Sequence, residues 1–130
     1  MAGTRVVKDG LEATARSFEI DETLMKTDRE ELAFVSGDTV KSFTLSASAR
    51  VTMIVFEMPT FSGAAVTGIV SIENSDSVEI HATGAGAENA VHVSSPDPAI
   101  PLVGTNTIKV TLSTDPLSSG TCYVTMYLEG

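Results

Sequence analysis

The chain has 130 residues, a formal net charge of −9 and a hydrophobic fraction of 42%, with no tryptophan and a single cysteine. A chain of this length fits one domain with its own hydrophobic core, and one cysteine excludes an internal disulfide. No apolar run approaches the roughly 18 residues needed to span a membrane, and the first residues lack the apolar core of a signal peptide. We therefore expect synthesis in a cytoplasm and no membrane partner.

The first part of the chain is charged and weakly patterned, and we interpret residues 1–38 as an N-terminal arm ahead of a domain at 39–130. The end of this arm allows two structures. Asp28 could cap a short helical turn, because aspartate is favoured at helix N-termini. Equally, Glu31–Ser36 could form an edge strand ahead of the turn at Gly37.

From residue 39 onwards the pattern is that of β-strands joined by short loops rich in Gly, Ser, Ala and Pro. The predicted strands are Thr39–Leu45, Arg50–Met58, Val66–Glu73, Ser77–Ala82, Val91–Ser94, Thr105–Ser113 and Thr121–Glu129. Alternation is strictest in the last two, which predicts one face in a core and the other facing outward. Seven strands with turns at this spacing predict an all-β fold, an antiparallel β-sandwich that is jelly-roll-like, with a charged N-terminal arm.

One predicted strand, Arg50–Met58, is apolar on both faces. Strict alternation places Val51, Met53 and Val55 on one side and Ile54, Phe56 and Met58 on the other. A sandwich strand needs only one apolar face. The second face must therefore be covered, either by the N-terminal segment or by another subunit, and the latter possibility predicts a homo-oligomer such as a dimer or trimer.

Three local features of the domain have more than one interpretation. Phe61, near the tip of loop 59–65, is either tucked beneath its own sheet or offered to a partner. Cys122 lies on the apolar face of the last strand, which favours a small buried hydrophobe over a reactive thiol. The turn at 73–77 contains oxygen ligands, but its Asn and Asp side chains are expected to bond their own backbone rather than calcium.

The inventory of catalytic residues is small. His81 and His92 are the only histidines, and each alternates with apolar residues in a predicted strand, which predicts that both face outward. Placed across from each other, they could bind a metal ion with Glu79 or Glu88, but the sequence does not establish that pairing. No Ser/His/Asp order and no Cys/His pair has a supporting context. We expect no enzyme activity, no metal site and no cofactor.

Positive charge is concentrated near the N-terminus. Residues 1–50 hold seven basic against nine acidic residues, a net charge of −2, whereas residues 51–130 hold only Lys109 against eight acidic residues, a net charge of −7. A region without cationic surface is not expected to bind nucleic acid. The mixed-charge N-terminal part could instead dock on a partner protein. The candidate partner-binding residues are Arg5, Val6, Val7, Lys8, Arg16, Phe18, Ile20, Arg29 and Phe61.

A resemblance covers roughly residues 39–130. The segments at 70–76, 100–113 and 120–129, which include Ile108-Lys109-Val110-Thr111-Leu112, are similar to parts of many small structural proteins of tailed bacteriophages. The resemblance is one of texture and carries no diagnostic motif. It implies a β-sandwich virion protein, such as a capsid cement or decoration protein or a head or tail accessory protein, and it transfers no functional residues.

Together these features predict a non-enzymatic virion structural protein that binds and stabilises a phage capsid lattice. Its expected partner is the major capsid protein or another virion protein. The main alternative is a carbohydrate- or receptor-binding β-sandwich module of a phage tail or fibre, although the absence of tryptophan counts against it because sugar platforms use aromatic faces. A third alternative is a small hydrolase or metal-dependent enzyme that uses His81 and His92.

Overall fold

The computed structural model describes residues 24–63 and 65–130, so most of the predicted arm lies outside the described residues. Within these ranges the secondary structure consists of strands. They are β1 (Leu24–Lys26), β2 (Glu30–Phe34), β3 (Val40–Ser46), β4 (Ala49–Met58), β5 (Thr67–Glu73), β6 (Glu79–Ala82), β7 (Gly86–Ala87), β8 (Ala90–Ser94), β9 (Ile100–Leu102), β10 (Thr105–Leu112) and β11 (Gly120–Glu129). The seven strands predicted after residue 38 are all confirmed, with small shifts at their ends.

The strands form two antiparallel sheets that pack face to face. Sheet A has the order β1-β11-β4-β8, with β2 also pairing with β11 and β9 with β4. Sheet B has the order β3-β10-β5-β6, with β7 also pairing with β5. Successive strand pairs enclose one another along the chain: β5–β6, β4–β8, β3–β10 and β2–β11. The chain is therefore one long hairpin folded over into two layers. This confirms the antiparallel β-sandwich, and the nested order is that of a jelly roll.

The sandwich begins before residue 38, because β1 and β2 belong to sheet A. Leu32 pairs with Cys122, and the side chains of Leu32 and Phe34 are buried against the core. The edge-strand alternative for Glu31–Ser36 is therefore confirmed, and Asp28 does not start a helical turn. Alternation explains the outcome, since a strand is the structure that puts Leu32 and Phe34 on one face.

The core lies between the inner faces of the two sheets, and the two longest alternating strands fill its centre. The buried apolar residues of β10 and β11 are Ile108, Val110, Leu112, Cys122, Val124, Met126 and Leu128. Full burial of one such side chain stabilises the fold by about 1.5–3 kcal/mol. The prediction for Cys122 is confirmed: its Sγ lies 3.7 Å from Met58 Sδ, and burial raises the pKa of the thiol to about 12. The nucleophilic thiolate is therefore suppressed at neutral pH.

A β-bulge in β4 changes which of its residues face the core. Leu128 pairs with Val51, and the preceding residue of β11, Tyr127, pairs with Met53, so Thr52 is an extra residue between two pairs. An extra residue shifts the alternation of a strand by one position. The Thr52 hydroxyl donates a hydrogen bond to the Tyr127 carbonyl oxygen at 3.2 Å and so holds the bulge against β11.

The predicted division of the apolar residues of β4 between its two faces is wrong, because the bulge puts Val51 on the same side as Ile54, Phe56 and Met58. Four apolar residues of β4 face the core and are at most 4% exposed: Val51, Ile54, Phe56 and Met58. Met53 and Val55 remain on the other side, where both are half-buried. The strand by itself therefore does not require a second subunit to cover it.

Asp115 ties the loop between β10 and β11 to the turn that follows β2. Its Oδ1 accepts hydrogen bonds from the backbone N–H of Gly37 at 3.0 Å and of Leu117 at 2.9 Å. These bonds favour the charged carboxylate and hold the pKa of Asp115 below its ordinary value. On sheet A, hydrogen bonds from Arg29 lower the pKa of Glu57 in the same sense.

We expect the free energy of unfolding to fall as the protein is acidified below about pH 4, where unfolded carboxylates begin to bind protons. Asp115 and Glu57 have lowered pKa values, so their stabilisation is fully present above the unfolded pKa and is lost as the pH falls through the folded pKa. Glu30 acts in the opposite sense, because burial and Asp28 raise its pKa. Thermal unfolding across the acid range should show a shallower pH dependence for Asp115→Asn than for the wild type, and equal slopes would contradict the assignment.

Candidate binding face

The two histidines lie on the inner side of their strands, which corrects the prediction that they face outward. In β8, His92 pairs with the buried Phe56, whereas Val91 pairs with Glu57 and Val93 pairs with Val55 on the outer side. Val91 and Val93 are each 62% exposed, and His92 is half-buried. The cause is the pairing register, because a residue of β8 points to the same side of the sheet as the β4 residue with which it pairs, whatever its hydrophobicity.

The same inversion occurs in β6 of sheet B. His81 pairs with the fully buried Ile72 and is half-buried, whereas Val78 and Ile80 are 54% and 37% exposed. Its Nε2 atom is buried without a hydrogen-bond partner. In the described part of the chain, no group of three or more His, Cys, Asp or Glu side chains is placed to hold a metal ion.

The His92 ring is held by backbone and aromatic contacts. Its Nε2 lies 2.8 Å from the Ala87 carbonyl oxygen, and its ring centroid lies 6.3 Å from that of Phe56. Gly86 packs so closely on the ring that a Cβ atom at this position would lie 2.5 Å from His92 Cδ2. A side chain at Gly86 would therefore have to displace the His92 ring, which packs against β7.

A small cleft of about 240 Å³ opens beside His92, between β4, β8 and the loop before β7. Its polar side chains are Thr83, His92 and Ser94, and its lining contains no carboxylate. The Thr83 hydroxyl already accepts a hydrogen bond from Val70 N–H and donates one to the Gly84 carbonyl. The cleft thus offers no pair of groups arranged for acid–base chemistry.

The outer surface of sheet A carries a group of apolar and aromatic side chains, with Glu57 lying between Val91 and Tyr123. We name it the A face, defined by the outward residues of β4, β8 and β11: Met53, Val55, Val91, Val93, Tyr123 and Tyr127. Val93, Val55 and Thr125 lie opposite one another in register and form a row across three strands. Thr125 is only 8% exposed, because its neighbours cover it. The side chains of the A face are therefore positioned by backbone pairing.

An ion pair between Arg29 and Glu57 lies at the end of the A face where Glu57 pairs with both Val91 and Tyr123. The Arg29 guanidinium donates two hydrogen bonds to the Glu57 carboxylate, at 2.7 and 2.9 Å, and its Cζ lies 3.5 Å from the centroid of the Tyr123 ring. Bidentate pairing raises the pKa of Arg29 and lowers that of Glu57. Arg29, predicted to bind a partner, thus lies on the A face with its charge already paired within the chain.

The outer surface of sheet B has a different character. Its outward positions on β3 and β10 are mostly hydroxyl side chains, including Ser46 and Thr105, whose oxygens lie 3.0 Å apart. Its charges include an ion pair between Lys109 Nζ and Glu73 at 2.7 Å. The outer surface of sheet B therefore combines hydroxyl groups with exposed apolar residues such as Val40 and Ile80, and it lacks the tyrosines of sheet A.

Phe61 is part of the core, which corrects its assignment as a partner-binding residue. Its side chain is 5% exposed, packs edge-on against Phe34 with ring centroids 6.4 Å apart, and contacts the backbone of Gly120. The Glu88 carboxylate holds the loop inward because its two oxygens accept hydrogen bonds from the backbone N–H groups of Phe61 and Val66, with N···O distances of 2.9 Å each. The local sequence contains no sign of this acceptor, which lies more than twenty residues further along the chain.

The other predicted partner-binding residues, Arg5, Val6, Val7, Lys8, Arg16, Phe18 and Ile20, lie outside the described residues. Among residues 24–63 and 65–130, no helix is long and apolar enough to cross a membrane. The A face could not be found from the sequence because the hydrophobicity of Val91 and Val93 predicts that they point inward. The register between β4 and β8 was the signal needed to reverse that interpretation.

Comparison with known proteins assigns no family to the chain. No protein-family model matches the chain, and no curated protein matches it. Among solved structures, the chain is similar to dimeric latent PorU from Porphyromonas gingivalis, with 10% identity and a TM-score of 0.47, covering 82% of this chain and 12% of that one. It is also similar to a chain in the structure of infectious bursal disease virus, Gt strain, with 10% identity and a TM-score of 0.39. The match covers 96% of this chain and 38% of that one. For the Gx strain of the same virus the identity is 8% and the TM-score is 0.41, and the match covers 96% of this chain and 36% of that one.

The chain spans less than two fifths of the length of each of these structures. At these identities and TM-scores the likeness supports no conclusion about this chain. The strand order defines the protein as an antiparallel jelly-roll sandwich. A fold of this kind does not determine a function, so the function has to be argued from the surfaces.

Proposed function

We propose that this chain is a non-enzymatic virion structural protein that binds and stabilises a capsid lattice, as a cement or decoration protein, through the A face. The observation that carries the proposal is the exposure of Val91 and Val93, each 62%, beside Val55 on a rigid sheet. Contiguous exposed apolar surface rimmed by polar groups commonly marks a protein–protein interaction site. Jelly rolls occur in viral capsid domains and also in lectins, so the fold is compatible with the proposal without deciding it.

The A face is suited to a protein partner. Its backbone is fixed by pairing on both sides of β4 and β11, so little conformational entropy is lost when it binds. Its polar rim is organised in advance, because Arg29 and Glu57 already satisfy each other and need not be desolvated as single charges. The expected partner is the major capsid protein or another virion protein.

The carbohydrate-binding alternative is disfavoured by the geometry of the aromatic residues. Sugars stack on exposed aromatic ring faces. The Arg29 guanidinium lies over the Tyr123 ring at 3.5 Å, so one face of that ring is already occupied. Tyr127 is half-buried and is the one other tyrosine of the chain. A glycan-array signal that is lost on Tyr127→Ala would replace the capsid proposal with this alternative.

The test is co-sedimentation with shells assembled from the major capsid protein encoded alongside this chain. We expect Val55→Lys to weaken shell binding at least about tenfold, which corresponds to about 1.4 kcal/mol, because a charge would be buried in the interface. The matched control is Val40→Lys, the same change on the outer surface of sheet B, where Val40 is 48% exposed. Thermal unfolding of each free variant separates binding from stability. Equal binding by both variants, or no wild-type binding, would contradict the proposal.

A further inference from the structure

Three of the four lateral sheet edges in the described part of the chain carry features that oppose pairing with another strand. β2 carries Glu30 and Glu31, and β3 carries Lys41. β6 has four residues, includes Glu79, and is interrupted by a register shift. Charges, short length and bulges are the devices by which natural sheets protect their edges.

The fourth edge, β8, has none of these features. Ala90–Ser94 contains no charge and no proline, pairs with β4 on one side, and has no strand on its other side among the described residues. Alternate residues of an antiparallel edge strand point their N–H and C=O groups away from their neighbour. The next strand along the same edge, β9, contains Pro101, which cannot donate to a new strand. The open edge is therefore limited to β8.

We propose that β8 pairs antiparallel with β8 of a second copy of this chain, about a two-fold axis at His92. The strand reads Ala-Val-His-Val-Ser, which is almost the same in both directions, so the axis places Val91 opposite Val93 of the second copy and Val93 opposite Val91. A two-fold interface requires this kind of self-complementarity. Paired β-branched residues on one face of a sheet are favourable neighbours.

Charge distribution also favours a second copy at this edge over the others. Each chain carries a net charge of −9, so association of two copies is opposed by repulsion at long range. Residues 89–96 contain no charged side chain, whereas self-pairing at β2 would bring four glutamates together. The pairing joins two copies of sheet A into one continuous sheet and doubles the A face. It does not depend on capsid binding.

The first test measures mass in solution by light scattering during size-exclusion chromatography. We expect the wild type to show about twice the 13.6 kDa of one chain at high concentration, with tighter association at high salt because repulsion is screened. Val93→Lys should shift the protein to a monomer, because it puts two new charges into the paired edge. Val103→Lys, at a loop residue that is 75% exposed, should remain a dimer. A monomeric wild type at every concentration, or a Val93→Lys dimer, would overturn the proposal.

The second test fixes the register and does not rely on a loss of association. Directly opposed residues in an antiparallel pair have Cα atoms about 4.5–5.5 Å apart, within disulfide range. An equimolar mixture of Val91→Cys and Val93→Cys chains should form a disulfide-linked dimer on mild oxidation, whereas either variant alone should not. Cys122 is buried and does not compete. Equal cross-linking by a single variant, or none in the mixture, would overturn the register proposed here.

Discussion

Phe61→Ala is expected to lower the free energy of unfolding by about 3–5 kcal/mol, the usual cost of deleting a buried phenylalanine side chain. The ring is 5% exposed and fills the space between Phe34 and the backbone of Gly120, so its removal leaves a cavity that rigid backbone cannot close. Urea denaturation followed by circular dichroism measures the change.

The control for Phe61 is Leu117→Ala, at a loop residue that is 60% exposed, which should change stability by less than about 0.5 kcal/mol. Unchanged stability of Phe61→Ala together with a loss of shell binding would return Phe61 to the docking surface and contradict its place in the core.

Glu88→Ala is expected to destabilise the protein by about 3 kcal/mol, because one carboxylate accepts two backbone N–H groups and charged hydrogen bonds contribute about 1.5–3 kcal/mol each. Without it, Phe61 and Val66 lose their acceptors while part-buried. Glu88→Gln should be intermediate, since its single amide oxygen can satisfy one of the two donors.

The matched comparison for Glu88 is Glu79→Ala, at an exposed residue of the edge strand β6. Urea denaturation of the three variants should rank Glu88→Ala as the least stable, followed by Glu88→Gln and then Glu79→Ala. If Glu88→Ala and Glu79→Ala unfold at the same urea concentration, the carboxylate does not secure the loop.

Most of the strands could be predicted because their side chains alternate strictly. In β10 and β11 the inward side chains are buried, and residues such as Ile108 and Val124 mark the core face without reference to any other strand. The two-layer architecture follows, since several such strands must bury their apolar faces against one another. The N-terminal boundary was predicted too late because β2 is short and carries two glutamates on an otherwise apolar pattern.

What could not be predicted depends on contacts between distant segments. The bulge at Thr52 shows only in the register with β11, so local alternation in β4 assigned Val51 and Ile54 to opposite faces. The orientation of β8 is set by pairing with β4, which turns His92 inward and the valines outward against their individual preferences. Phe61 and Arg29 each depend on a distant carboxylate, from Glu88 and Glu57, and neither partner can be read from neighbouring residues.

The nested strand order dictates when this protein can fold during its synthesis. β11 lies between β2 and β4 in sheet A, so these two strands, made early, have no common neighbour until residues 120–129 have left the ribosome. Closing such long-range pairs is slow, and all-β proteins of this kind fold in milliseconds to seconds. Throughout that wait the apolar side of β4 lacks its final cover and is vulnerable to aggregation. The nascent chain is therefore expected to depend on chaperones, and its folding is expected to follow translation.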